Sequence, residues 1–279
     1  MAKSVELKAE IPGRGDVKVF MPKAFSSQDK WPLIISLHGY GGSGALQNFY
    51  VRLRSFYNDF GFVFAAPDGL KDSSGRGYWN ASNFCCDFDQ SQVDDVAYIK
   101  GLIDRIKNSN EIGRIDLNKI FLIGYSNGAF LTTKLACSTE LNIAGIVSIS
   151  GTSDARDASG DVVPVNELNC EHNRPIPMLH VHGTADKTIL YDGFDNGRTA
   201  HVGALEHISR WAKHNGCKGS LKSHKESFNA SNFIKGKETD QFAMQDCLAP
   251  VEHFRVNDGG HFGVFKKKLT KKILQFLFQ

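Results

Sequence analysis

Three side chains in this sequence have the types, the flanking residues and the chain order needed for nucleophilic attack on a carbonyl carbon: Ser126, Asp186 and His261. Ser126 stands in Gly124-Tyr125-Ser126-Asn127-Gly128, a G-x-S-x-G. A serine hydroxyl is a weak nucleophile at neutral pH. It needs a base to take its proton and an acid to fix the tautomer of that base. Asp186 follows His182-Gly183-Thr184-Ala185, and His261 follows Gly259-Gly260, so acid and base come after the serine in that order. Charge building on the attacked oxygen needs two donors. The Asn127 amide, at a helix N-terminus beside the serine, supplies one. The loop His38-Gly39-Tyr40-Gly41-Gly42-Ser43-Gly44 supplies the other, assigned to Tyr40 with Gly41 as the alternative.

Competing residues are weighed by position. Among ten histidines, His180 and His182 alternate along one strand and read as core or rim residues. His253 lies within the last strand, and His201, His207 and His214 share one helix. Asp192 lies farther from its strand end than Asp186, and Asp258 is too close to His261 in sequence to be its usual partner. Trp79, in a polar loop, and His38 are candidate substrate contacts, with packing against the scaffold the equal reading for Trp79. The glycine-rich loop after His38 lacks G-K-[ST] and does not fit G-x-G-x-x-G, so a phosphate cradle is excluded.

Positioning these groups requires strands whose carboxyl ends align. Trp31 to Leu37, Phe62 to Ala66 and Lys119 to Ile123 are apolar runs of buried strands, and Ile143 to Ile149, Ile176 to Val181 and Val251 to Val256 read as further strands. Helical spacing appears over 45–58, from Val96 to Ile106, over Phe130 to Ala136, from Thr199 to Asn215 and over 264–278. Residues 4–21 read as a β-hairpin around Pro12-Gly13-Arg14-Gly15-Asp16. Asp94 and Asp95 suit a helix start. Residues 152–175 read as an irregular insertion over the carboxyl edge and a candidate lid. Strands alternating with helices give an α/β fold, a mostly parallel sheet covered on both faces, in one domain over 1–279.

Composition narrows the classes. With 41% hydrophobic and 23% charged residues the chain is an ordinary globular protein, and a net charge of +3 argues against a nucleic-acid partner. No apolar run reaches the roughly 20 residues of a membrane span. The final basic helix reads as the closing helix of the domain rather than a membrane anchor. Met1 to Glu6 lacks a signal peptide's apolar core, so the protein is expected either to stay inside or to have lost its leader. The six cysteines form no C-x-x-C and no His cluster has zinc spacing, so no metal is expected. Three disulfides and six separate thiols are equal readings of the count. The proposed chemistry needs no cofactor.

Several segments taken together resemble a known family. His38-Gly39-Tyr40-Gly41-Gly42, Pro67-Asp68-Gly69, Trp79-Asn80 with Cys85-Cys86, and Val93-Asp94-Asp95-Val96 occur in that order. They are followed by Gly124 to Gly128, His182 to Asp186, Trp211 to Cys217, and Gly259-Gly260-His261. From about residue 15 to its end the chain resembles the secreted polyhydroxybutyrate depolymerase and feruloyl esterase family of α/β-hydrolases, related to carbohydrate esterase family 1. The resemblance implies Ser126, Asp186 and His261 as the triad of a serine ester hydrolase, in a secreted or periplasmic protein. It also implies a Cys217–Cys247 bridge, with Cys85 and Cys86 paired to Cys137 and Cys170. Phe262-Gly263 stands where many members have Trp-Pro, which implies a different rim to the acyl pocket. No linker or polymer-binding module is visible in these residues, which favours a small or oligomeric ester. Alternatives are a peptidase or acyltransferase on the same scaffold and a non-catalytic binding protein.

Overall fold

The apolar runs become strands, and the alternation inside them sorts their side chains to two faces. In the computed structural model, which describes residues 3–27, 30–157, 159–164, 167–168, 170–197 and 200–279, the strands are β1 (Lys3–Leu7), β2 (Val17–Met21), β3 (Trp31–Leu37), β4 (Val63–Ala65), β5 (Leu70–Lys71), β6 (Gly77–Tyr78) and β7 (Ile115–Tyr125). They continue as β8 (Ile143–Ile149), β9 (Met178–Gly183), β10 (Gly193–Asp195), β11 (Ala200–Val202), β12 (Leu221–Phe228), β13 (Thr239–Met244) and β14 (Val251–Val256). The helices are α1 (Gly44–Val51), α2 (Tyr57–Phe60), α3 (Asp95–Asn108), α4 (Asn127–Cys137), α5 (Ala204–His214) and α6 (Lys267–Leu277). Ten strands form one sheet in the order β1-β2-β4-β3-β7-β8-β9-β14-β13-β12. The six from β4 to β14 are parallel neighbours, flanked by antiparallel strands at both edges.

Leu33, Ile35, Leu37, Leu122 and Ile146 point to one face, where they pack with Ile99 and Leu102 of α3, Leu131 and Leu135 of α4, and Trp211 of α5. Ile34, Phe121, Ile123, Val147 and Leu179 point to the other, against Val51 of α1 and Leu269, Ile273 and Leu274 of α6. The central parallel strands β3, β7 and β8 are therefore mostly apolar in their buried parts because both faces are covered. Leu37 lies opposite Gly124, Tyr125 opposite Ile149, and Gly183 opposite Val256. This register brings the loops after β3, β7, β9 and β14 to one edge.

The structure departs from the sequence reading in several places. The helix expected over 45–58 breaks at Arg52, whose φ of 56° ends α1, and resumes only as a short turn and α2. The polar stretch after α5 holds β12 and β13, whose outward side chains hide the strand pattern at a sheet edge. The helix expected from Thr199 begins at Ala204; Thr199 lies outside the described residues, and Ala200–Val202 pairs as β11 with β10.

The segment 152–175 follows β8 at the carboxyl edge. In its described part this segment descends along α4. Ala155 N donates to Ala200 O (3.2 Å) and Glu171 N to Cys137 O (2.9 Å), and Arg174 reaches Leu141 O. A parallel crossover from β8 to β9 must return to the amino end of the sheet, and here this segment makes the return that a helix usually makes.

Cys217 pairs with Cys247, as the resemblance implies. The other pairing does not hold: Cys137 bonds Cys170, and Cys85 bonds its neighbour Cys86. The length of α4 separates the two sites. Cys85 O lies beside Asn127, the first residue of α4, and Cys137 is the last, about 15 Å away at helical rise.

Candidate active site

Between β7 and α4 the chain reverses in a single residue. Ser126 has φ 53° and ψ −120°, a conformation a non-glycine residue adopts only under constraint, at a cost of about 1–3 kcal/mol. The constraint is visible. Ser126 N donates to Ile149 O at 2.8 Å, and Ser126 O caps the helix by accepting from Ala129 N at 2.8 Å. A Cβ on Gly124 would run into the Gly128 carbonyl, and one on Gly128 into the Leu37 carbonyl, so the turn needs both glycines.

The turn presents Ser126 Oγ to His261 Nε2 at 2.9 Å. His261 Nδ1 faces Asp186 Oδ2 at 2.7 Å. The three residues are 7%, 6% and 4% exposed, so water competes little for these bonds. A carboxylate only accepts, hence Nδ1 carries the proton and Nε2 is free to accept from the serine hydroxyl. Asp186 Oδ1 accepts from the amides of Thr188 (2.8 Å) and Ile189 (2.9 Å). Burial pushes the Asp186 carboxyl up, but bonds from His182, His261 and the Thr188 amide outweigh it and hold the group well below the usual carboxylate range. The backbone of His261 is fixed as well: Tyr125 OH donates to its carbonyl at 2.6 Å. Burial raises the Tyr125 phenol far above its ordinary value, so it remains a neutral donor.

The expected oxyanion loop is ordered by its own hydrogen bonds. Gly41 N donates to Gly77 O (2.8 Å) and Gly42 N to Gly39 O (2.9 Å), which commits the amide of the alternative residue. Among the described residues the amides of Tyr40 and Asn127 donate to no such partner. The Tyr40 hydroxyl bonds Asp72 at 2.5 Å, and this bond leads the contacts that lower the Asp72 carboxyl to about 2. The Asn127 side chain is buried and clamps the backbone of Trp79, accepting from its amide (2.7 Å) and donating to its carbonyl (2.9 Å).

Two candidate substrate contacts have other duties. Trp79 is fully buried and donates through Nε1 to His38 O at 2.9 Å, so it packs the scaffold and does not wall a cleft. His38 is 1% exposed; Nδ1 donates to Gly39 O and Nε2 accepts from Gly69 N. Burial lowers its basicity, consistent with that neutral, two-sided role. Exposed aromatics beside the reactive groups are instead Phe88, edge-on to Tyr40 at 5.2 Å, and Phe262, edge-on to His261 at 5.0 Å. Phe262 follows the histidine directly and so was legible as a rim residue. Phe88, in a polar loop, carried no signal. Tyr125 and His182 were also missed, because a residue beside a motif looks like spacer until its hydroxyl or ring is located.

The chain resembles several proteins of known chemistry. A family model described as phospholipase/carboxylesterase matches residues 24–230. Feruloyl esterase B of Piromyces equi is 26% identical over 251 residues, covering 88% of this chain and 42% of that protein. Acyl-protein thioesterase 1 of Yarrowia lipolytica is 29% identical over 175 residues, 57% of this chain and 71% of that one. The solved acetyl xylan esterase from Aspergillus awamori shares the fold, with a TM-score of 0.66 at 18% identity and 99% coverage of both chains. The chain spans under half the length of the first curated relatives it matches. With a match over most of its length, a parallel sheet of the expected kind and a serine on a strand-to-helix turn, this chain belongs to the phospholipase/carboxylesterase family of α/β-hydrolases.

Proposed function

We propose that the protein hydrolyses carboxylic esters through a Ser126 acyl-enzyme. The observation that carries this reading is the continuous Ser126–His261–Asp186 line, with bonds of 2.9 and 2.7 Å. His261 Nε2 takes the hydroxyl proton as Oγ attacks the ester carbonyl, and the amides of Tyr40 and Asn127 receive the oxyanion. His261 then protonates the departing alcohol, the C–O bond breaks, and water repeats the cycle on the acyl-enzyme. Asp186 stays ionised throughout and holds the imidazolium. We read residues 1–279 as one catalytic domain.

The substrate is a small or oligomeric ester, of the feruloyl ester or hydroxyalkanoate type. Exposed Phe88 beside Tyr40 and Phe262 beside His261 support an apolar group on the substrate, and feruloyl esterase B supports the first of the two types. The three disulfides support an oxidising compartment outside the cytoplasm.

The test is hydrolysis of p-nitrophenyl acetate, p-nitrophenyl octanoate, methyl ferulate and a hydroxybutyrate trimer by wild type and Ser126→Ala. Turnover by the wild type should fall by about 10⁵-fold or more in the variant, and the ranking of the four esters identifies the acyl preference. A folded wild type with no rate above the uncatalysed reaction overturns the reading.

A further inference from the structure

Behind Asp186 lies a group of buried histidines that take no part in the proposed acyl transfer. His180, His182, His207 and His253 are all 0% exposed. The bonds of His182 and His253 fix which nitrogen of each carries the proton. His182 Nε2 lies 2.9 Å from Ile189 O, and a carbonyl only accepts, so Nε2 is the protonated nitrogen. The same Nε2 lies 3.4 Å from Asp186 Oδ2, the oxygen that receives His261. With the proton on Nε2, Nδ1 is the acceptor, and His180 Nε2 lies 3.1 Å from it. His180 is held in turn between the rings of His207 (5.0 Å) and His253 (5.4 Å). His253 Nδ1 donates to His180 O, and its Nε2 accepts from Tyr191 OH at 2.9 Å.

Ile189 matters because it closes the turn on which Asp186 sits. Its amide donates to Asp186 Oδ1 while its carbonyl receives His182. The imidazole thus ties the far end of the 183–189 turn back to β9. We propose that His182 is a positioning residue: its Nε2–H, shared between Ile189 O and Asp186 Oδ2, fixes the acid-bearing turn and aims the carboxylate at His261 Nδ1, and His180 sets the tautomer that allows it. This inference rests on the ester-hydrolysis reading. A carboxylate contacted by two imidazoles, both on Oδ2, and by two amides on Oδ1 has little freedom to rotate away from His261, and that order is in place before substrate arrives.

The experiment compares wild type, His182→Leu, His182→Gln, His180→Leu and Ser126→Ala on p-nitrophenyl acetate. Leucine fills similar space without a donor, whereas the glutamine amide nitrogen reaches the place of Nε2. His182→Leu should lower kcat by about ten-fold with KM changed by less than about two-fold, because the geometry it disturbs is needed in the transition state. His182→Gln should recover most of that loss, and His180→Leu should lose about three-fold. The low-field proton resonance of the His261–Asp186 bond should move in His182→Leu and return in His182→Gln.

If His182→Leu does not fold, His182→Asn carries the comparison, since its amide is too short to reach either acceptor. A folded His182→Leu with wild-type kcat and an unmoved resonance overturns the proposal, as does a loss of equal size in His182→Gln. Ser126→Ala separates the two levels of inference. If it keeps the wild-type rate, the reading of Ser126 fails; if it is silent while His182→Leu is unimpaired, only the role of His182 fails.

Discussion

The reactive line is supported from two sides, and the two sides bury polar groups by opposite means. Under the Ser126 elbow the support is ionic. Arg14, from the turn after β1, pairs with Asp95 at the start of α3, with side chains 1% and 0% exposed. The Arg14 guanidinium lies 4.0 Å over the Tyr98 ring. Asp95 Oδ2 accepts from Asn80 N at 2.7 Å, and the adjacent Trp79 backbone is the segment that Asn127 clamps. Under Asp186 the support is an imidazole group in which burial keeps His180, His207 and His253 uncharged: His180 bonds His182, His253 bonds His180 O and the Tyr191 phenol, and His207 packs against the His180 ring. A full charge in a dry site is tolerated only beside its counter-charge, while a neutral imidazole needs one donor and one acceptor. The first side therefore fails when a partner is removed, and the second when a proton is added.

The largest expected effect follows from the ionic side. Arg14→Ala or Asp95→Ala leaves a buried charge alone and should cost about 3–5 kcal/mol of unfolding free energy, read from urea denaturation. The double variant Arg14→Met with Asp95→Leu should recover most of that loss. If either single variant melts within about 1 kcal/mol of wild type, the pair is hydrated and the contrast between the two sides collapses.

The histidine side should respond to acid. His207 and His253 are held at about 3 by burial, against 6.5 for the free group, and His180 is held well below it for the same reason. Below 6.5 the unfolded chain takes up protons that the fold refuses until about 3. The unfolded state thus binds more protons in that window, and stability falls as pH falls through it. Each such group contributes about 1 kcal/mol per pH unit. The clean measurement is a difference: the stability of His207→Leu should decline less steeply than wild type between pH 6.5 and about 5, by that amount. Parallel slopes would mean that the ring is hydrated.

Much of this arrangement was legible in the chain and some was not, for physical reasons. The parallel strands read clearly because burial on both faces leaves no polar position in Ile34-Ile35 or Leu122-Ile123. Ser126, Asp186 and His261 were legible because each follows a strand end, and the register of β7, β9 and β14 brings such ends together. Trp79 misled because a tryptophan in a polar loop gives no sign of the helix face and Asn127 amide that bury it. Cys85 and Cys86 misled because pairing depends on which end of α4 a loop reaches. Arg14 looked like a turn residue, and only the approach of α3 makes it half of an ion pair. His180 and His182 read as core or rim residues and are fully buried, but a strand pattern does not record the direction of a ring nitrogen.

The smallest expected effect concerns Asp154, which runs against the histidines. It begins the segment beside α4 and lines a cavity of about 320 Å³ with Thr133, Lys134 and Arg156. Its Oδ1 is buried without a partner, while Asn83 N donates to Oδ2 at 3.1 Å. Burial raises the carboxyl to about 6, against 3.8 for the free group. Here the folded state binds the extra proton between those values, so stability is fully present below 3.8 and is lost as pH rises through about 6. The residue as a whole keeps some contact with solvent, which limits the loss at neutral pH to about 1 kcal/mol. Asp154→Asn removes the titration, so relative to wild type it should gain that amount at about pH 7.5 and nothing at about pH 4, read by thermal melts at both. The direction is opposite to that of His207→Leu, whose advantage grows toward acid. A gain of the same size at both pH values would place the Asp154 charge in solvent, and the seam between α4 and residues 152–175 would then be wet where the histidine side is dry.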